Sequence, residues 1–295
     1  MRILILGGTR FLGRALAHEA LQQGAQVSLF HRGLTGPGLF PEAHHILGDR
    51  NVDLQGLRGH QFDLVVDVSG QRPSQVLATT QQLCDTGRYC FISTISVYDR
   101  SKARTFHEES PVLKDEAADL EVEIPDNYGL RKAACEAIVR RQFGERCLIL
   151  RPCLLIGPHD PTDRFTYWVM RADRGGDILA PGQPSDPVRF LDVRDLSLWI
   201  LSLARRAAGG TYNAAGPRLH ASMGKLLEAC NPQGRVIWVP AGFLQDQGVQ
   251  PWSDLPVWVP GNFHQISRRK AVSAGLRLRP AQESARDILA WRKAL

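Results

Sequence analysis

Ile3-Leu4-Ile5-Leu6-Gly7-Gly8-Thr9-Arg10-Phe11-Leu12-Gly13 decides the fold of this 295-residue chain. Four consecutive apolar residues running into glycine read as a short strand buried on both faces. Phe11, Leu12, Ala15, Leu16 and Ala20 then recur at helical spacing as far as Gln23, and Gly24 stops the helix. Val27–Phe30 is a second strand, so one βαβ unit is complete within about 30 residues. The glycines at the strand–helix turn let backbone approach a pyrophosphate closely, and the helix N-terminus offers amides to its charge. Gly7, Thr9, Arg10, Phe11, Leu12 and Gly13 are therefore expected to hold a dinucleotide, the alternative being a plain βα turn.

The alternation continues outward from this unit. Strands are expected at His44–Leu47, Phe62–Val68, Tyr89–Ser93 and Cys147–Arg151, with helices over Ser74–Thr86 and Asn127–Phe143. That order specifies an α/β fold, a doubly wound parallel sheet of Rossmann type. Asp99–Pro125 is acidic and reads as a loop. Beyond Pro152 glycine and proline become frequent and six tryptophans follow, from Trp168 to Trp291. The expected organisation is a dinucleotide-binding domain over residues 1–155 and a smaller C-terminal substrate-binding region over 156–295. Segments near 190–215 return to the first: a helix from Val193 and a strand over Thr211–Ala214.

Composition narrows the class. Hydrophobic residues make up 43% and charged residues 22%, ordinary for a globular protein. The net charge of +6 comes without a dense basic run, which suits an anionic small ligand better than nucleic acid. Six cysteines form no Cys-x-x-Cys pair and no metal-ligand spacing, so no metal is expected and buried free thiols in a reducing, cytoplasmic setting are. No segment has the length of a membrane span.

The residues after the second strand choose the cofactor. An acidic residue there holds the ribose 2′-hydroxyl of NAD. This chain has Phe30-His31-Arg32-Gly33 instead, and Arg32 would attract a 2′-phosphate, with Arg10 at the mouth of the site as a second guanidinium. NADP is thus the expected cofactor, ahead of NAD. Asp49 and Arg50, after the third strand, are assigned to the same site. Asp49 is placed to accept from the adenine amino group, or is a turn residue. Ser69 and Gly70, after the fourth strand, let backbone approach the ribose.

Tyr128-Gly129-Leu130-Arg131-Lys132 puts a phenol and an ammonium four residues apart on one helix face. A nearby ammonium favours the phenolate, which suits Tyr128 for acid–base work. Thr94, at the carboxyl end of the fifth strand, is placed to bond a substrate carbonyl, with Ser93 as a neighbouring candidate.

Together with Leu150-Arg151-Pro152, Gly157-Pro158 and Arg189-Phe190-Leu191-Asp192-Val193-Arg194-Asp195, these motifs resemble the extended (atypical) short-chain dehydrogenases/reductases, the NAD-dependent epimerase/dehydratase-like proteins. The resemblance implies a Thr94–Tyr128–Lys132 triad, a nicotinamide-ribose contact for Lys132, and a substrate-diphosphate contact for Arg189. The alternative for Arg189 is a salt bridge to Asp192 or Asp195. Arg10 departs from that family's usual glycine. The form Gly-Gly-Thr-Arg-Phe-Leu-Gly is similar to a sub-branch containing chloroplast stem-loop RNA-binding proteins and many bacterial reductases.

The leading expectation is an NADP-dependent oxidoreductase acting on a small-molecule substrate, anionic if Arg189 serves it. A nucleotide-sugar epimerase or dehydratase would use the same core. A nucleotide-sensing or RNA-binding Rossmann scaffold is the competing class, disfavoured by the complete triad and by the lack of aromatic platforms beside basic runs. The polar loop from Pro158 into Phe165 should stand at the mouth of the cleft.

Overall fold

The computed structural model describes residues 1–115, 117–124, 127–216, 221–260 and 265–295. The first half runs β1 (Arg2–Leu6), α1 (Phe11–Gln22), β2 (Gln26–His31), β3 (His44–Leu47), β4 (Leu64–Asp67), α2 (Pro73–Gln82), β5 (Arg88–Ile92), β6 (Thr105–Phe106), α3 (Tyr128–Phe143) and β7 (Cys147–Pro152). The second half runs β8 (Leu154–Ile156), α4 (Arg164–Arg174), β9 (Ile178–Pro181), β10 (Phe190–Asp192), α5 (Val193–Arg205), β11 (Gly210–Ala214) and α6 (Met223–Ala229). It continues with β12 (Val236–Val239), α7 (Ala241–Asp246), β13 (Gln265–Ile266), α8 (Arg269–Ser273) and α9 (Ala281–Lys293).

Seven parallel strands form the central sheet in the order β11-β7-β5-β4-β1-β2-β3. The expected doubly wound sheet is present, and the returning segment is one of its edge strands: β11 pairs with β7. Strand β1 shows why its sequence reads as a continuous apolar run. Ile3 and Ile5 enter the core beneath α1 and α5, while Leu4 and Leu6 enter the opposite core beneath α2 and α3. Burial on both faces replaces polar alternation with an unbroken hydrophobic segment. The chain walks outward from β1 to β2 and β3 and then crosses back to β4. A crevice therefore opens between the carboxyl ends of β1 and β4, where such sheets bind ligands.

A separate apolar cluster lies in the second half, where Phe165, Trp168, Leu226 and Ile288 pack together. Trp168 is fully buried, and its indole donates to the Pro256 carbonyl at 2.7 Å.

Several elements differ from expectation at their ends, and one expected loop holds a strand. β4 stops at Asp67 because Asp67 itself turns the chain, its Oδ1 accepting from the Ser69 amide at 3.1 Å. α2 stops at Gln82, and a turn closed by Thr86 N on Leu83 O delivers the chain to β5. The acidic loop over 99–125 contains β6, which pairs in parallel with β13; its Glu116 and Pro125 lie outside the described residues. Five cysteines are buried and Cys84 is half-buried, all as free thiols. Among the described residues no helix is long and apolar enough to cross a membrane, and no three His, Cys, Asp or Glu side chains cluster as a metal set.

Candidate active site

The phosphate loop follows directly from β1. Gly7 adopts φ +96°, a conformation that favours glycine, and its amide donates to Phe30 O at 3.0 Å, tying the loop to β2. Gly13 lies so close beneath the loop that a Cβ would stand 2.1 Å from the Gly7 carbonyl oxygen. The first turn of α1 carries no acidic residue, and its N-cap, Arg10, makes no side-chain capping bond. Amides and helix dipole are thus left for an anion. Thr9, Arg10, Phe11 and Leu12 line a cleft of about 1400 Å³ that reaches from Arg32 to Tyr128 and Arg189.

At the far end of that cleft the predicted adenosine-side residues divide. Arg32 is exposed on the cleft wall. Asp49 also lines it, but its Oδ1 accepts from the Asn51 amide at 2.9 Å and from Asn51 Nδ2 at 2.7 Å. That backbone bond, with the charges of Arg32 and Arg72 in support, holds the carboxyl below its ordinary range. Arg50 borders the cleft, yet its guanidinium turns onto buried Asp67 with bonds of 2.7 and 3.0 Å. It also donates to Ser69 Oγ at 3.0 Å and Thr79 Oγ1 at 3.1 Å. Burial alone would push the Asp67 carboxyl up; the charge and bonds of Arg50 hold it down instead. Arg50 therefore braces the Ser69–Gly70 turn from beneath. Gly70 has no room for a side chain, since a Cβ would lie 2.8 Å from the Phe91 ring.

The predicted triad gathers at the carboxyl end of β5. Thr94 caps a short 3-10 turn over Ile95–Val97, its Oγ1 accepting from Ser96 N at 3.1 Å. Helix α3 packs against this turn through Gly129, which brings Tyr128 to Thr94. Contrary to the expected phenolate, burial raises the Tyr128 phenol above its ordinary value, outweighing the neighbouring Thr94 hydroxyl and the charges of Arg131 and Arg164. The Lys132 ammonium is buried and donates to Gly70 O at 2.7 Å and Ile92 O at 2.6 Å. It sits 4.1 Å from the centre of the Phe91 ring, and burial pushes its pKa down to about 8. Ser93, the neighbouring candidate, donates instead to Glu136 Oε1 at 2.6 Å inside the core.

Glu136 was not among the expected residues. It stands one turn beyond Lys132 and binds Arg151 through two bonds of 2.9 and 2.7 Å, both side chains fully buried. An acid four residues after Lys132 on a helix facing a sheet is the signal that marks it.

On the substrate side, Arg189 lines the cleft, and its Nη1 donates to Ile266 O at 3.5 Å. The two acids weighed as its partners are otherwise engaged. Asp192 pairs with Arg194 at 2.7 Å and accepts from Ser284 Oγ at 2.7 Å, while Asp195 pairs with Arg279 at 2.7 Å. Asp160, in the loop expected at the cleft mouth, is a further cleft residue that sequence reasoning passed over. Its Oδ1 accepts from Thr162 N at 2.8 Å and Thr162 Oγ1 at 2.7 Å, its Oδ2 is buried with no hydrogen-bond partner among the described residues, and burial raises its pKa.

Residues 3–215 match the family model described as "NAD dependent epimerase/dehydratase family". The chloroplast stem-loop binding protein of 41 kDa b from Arabidopsis thaliana is 25% identical over 253 residues, which cover 79% of this chain and 63% of that protein. The match thus spans less than two thirds of that relative's length. Pal from Bacillus thuringiensis superposes with a TM-score of 0.71 at 18% identity, over 100% of this chain and 99% of its own. The UDP-glucuronic acid 4-epimerase from Bacillus cereus, solved in complex with NAD, superposes with a TM-score of 0.71 at 15% identity, over 100% and 99%. At these identities the two structures speak for the shared fold.

Proposed function

The chain belongs to the NAD dependent epimerase/dehydratase family, enzymes of the short-chain dehydrogenase/reductase superfamily, and on that footing we propose that it is an NADP-dependent oxidoreductase acting at a carbonyl or alcohol carbon. The observation that carries this reading is the juxtaposition of the Thr94 hydroxyl and the Tyr128 phenol in the same cleft as the phosphate loop. The loop suits a dinucleotide: Gly7 is in a backbone conformation that favours glycine, Gly13 leaves no space for a Cβ, and the Arg10 side chain makes no capping bond to the α1 amides. A bound nicotinamide supplies the hydride exchange.

Tyr128 gives its proton to the substrate oxygen as a carbonyl becomes an alcohol, and takes one back in the reverse direction. With its pKa raised, the phenol is protonated near neutral pH. Thr94 holds the same oxygen by a hydrogen bond. Lys132 holds the ribose edge between β4 and β5. Arg32, with Arg10, receives the 2′-phosphate, since no carboxylate follows β2 to bind a free 2′-hydroxyl. Arg189 meets an anionic part of the substrate. The buried free thiols suit a cytoplasmic, reducing setting.

A redox-neutral, NAD-using nucleotide-sugar epimerase or dehydratase is the second reading. It is favoured by Asp160, whose raised pKa supplies a further acid on the wall of the cleft that Tyr128 lines, and by the substrate and cofactor named for the Bacillus cereus epimerase.

The deciding experiment has two stages. Calorimetric titration with NADPH and NADH comes first, then a carbonyl and alcohol screen followed both by dinucleotide absorbance and by product mass. Net NADPH consumption supports the oxidoreductase. Isomerised or dehydrated product without net consumption supports the second reading. No turnover, with salt-dependent stem-loop RNA binding, would replace both with a function of the kind that the Arabidopsis relative is named for.

A further inference from the structure

His31 ends β2, and His45 lies on β3, whose register sets His45 opposite Leu29. Leu29 and His31 are two apart on one strand, so their side chains share a face and the two imidazoles meet. His31 Nε2 lies 2.8 Å from His45 Nδ1, with the rings nearly perpendicular. The chain of bonds has a main-chain group at each end. The Gly33 amide donates to His31 Nδ1 at 3.0 Å, and His45 Nε2 lies 3.1 Å from Phe40 O.

These two ends fix the direction of every bond. A carbonyl oxygen only accepts, so His45 carries its hydrogen on Nε2 and has a bare Nδ1. His31 therefore donates from Nε2, which leaves its Nδ1 bare to accept from Gly33. Both neutral rings are Nε2–H tautomers, and all four ring nitrogens are satisfied. Burial lowers the His31 pKa, and a proton added to His45 would lower it further, which favours this neutral state.

The consequence falls on Arg32. Its preceding carbonyl, His31 O, accepts from Gly48 N at 3.1 Å, and the following amide, Gly33 N, is held by the His31 ring. The main chain of Arg32 is thus tied on both sides, while its side chain is exposed on the cleft. At the far end, Phe40 O anchors the loop that begins at Gly33. Ordering that backbone in advance removes an entropic cost from binding at the guanidinium.

We propose that His31 and His45 are positioning residues for cofactor choice, holding Arg32 so that the cleft selects a dinucleotide bearing a 2′-phosphate. This rests on the NADP reading above.

The test is the ratio of NADPH to NADH affinity, measured by calorimetry on the full chain and on His31→Leu, His31→Asn and His45→Leu. A loss of stability alone would weaken both cofactors and leave the ratio unmoved. The leucine variants should lower the ratio by roughly 3- to 10-fold, the worth of a neutral hydrogen bond. His31→Asn, whose amide oxygen can still accept from Gly33 N, should keep most of the preference. A clear wild-type preference that both leucine variants retain overturns the histidine proposal alone. A wild-type ratio of one removes the NADP reading and the proposal with it. If the variants do not fold, imidazole nitrogen spectra of the wild type decide. Both rings must be Nε2–H tautomers and must respond to NADP more than to NAD; an Nδ1–H form of either, or equal responses, overturns the proposal.

Discussion

Gly129 lies against Ser96 so closely that a β-carbon on it would stand 2.1 Å from the Ser96 carbonyl oxygen. This contact sets how near α3 comes to the turn that Thr94 caps, and so where Tyr128 stands. Two variants separate position from chemistry. Tyr128→Phe should keep the fold and cofactor affinity while lowering kcat by roughly 10²–10⁴, the size of a general acid–base contribution. Gly129→Ala keeps the phenol but must displace the helix, so it should lower kcat while also reducing the melting temperature. Steady-state kinetics beside melting curves check both, and full turnover by Tyr128→Phe would remove that residue from the chemistry.

Lys132 gives the pH dependence its sign. Burial lowers its pKa to about 8, while burial raises that of the Tyr128 phenol. As pH rises, the ammonium of the free enzyme loses its proton first. kcat/KM, which reports on free enzyme, should therefore fall above about pH 8. Lys132→Arg, which cannot deprotonate in this range, should move that alkaline limb upward. The same shift acts on stability. Between about 8 and the unfolded value of 10.5 the unfolded chain binds more protons, so this group's contribution to stability rises with pH across that window. An alkaline limb identical in wild type and Lys132→Arg would assign it to another group.

Arg32→Asp should weaken NADPH by about 1.5–3 kcal/mol, the worth of a hydrogen bond to a charged group, while sparing or improving NADH. Calorimetry of both cofactors checks the direction, and an unchanged NADPH affinity would place the 2′-phosphate elsewhere.

Arg189→Ala should raise the substrate KM and leave NADP affinity nearly unchanged. Asp192 and Asp195 keep Arg194 and Arg279 as partners in this variant. A normal KM for an anionic substrate would show that Arg189 does not meet it, and a large fall in melting temperature would assign it a structural role.

Glu136→Gln should destabilise the fold by roughly 3–5 kcal/mol, because it leaves the Arg151 charge buried without a counter-ion. A double change, Glu136→Leu with Arg151→Met, should cost less than the sum of the single changes, since it removes both charges together. Denaturant midpoints measure this coupling, and strict additivity would show that the pair does not act as a unit.

What the sequence determined by itself is what depends on neighbours along the chain. The apolar run Ile3–Leu6, the glycine turn, the helical period from Phe11 and the Tyr128–Lys132 spacing are properties of a few consecutive residues, and each is in place. They sufficed for the parallel sheet. The tertiary structure decided which polar group meets which. Ser93 and Thr94 are adjacent and similar, yet one bonds Glu136, 43 residues away in sequence, while the other faces Tyr128. Asp49 and Arg50 are adjacent too, yet Asp49 turns back to Asn51 while Arg50 reaches 17 residues on to Asp67; the packing of the strands decides that guanidinium's direction. His31 meets His45 because β2 and β3 pair in one register and no other. Local periodicity sets which face of an element is buried, but it says nothing of crossover and register. Those bring distant charges within hydrogen-bond reach, and in a buried setting each such charge must find its partner.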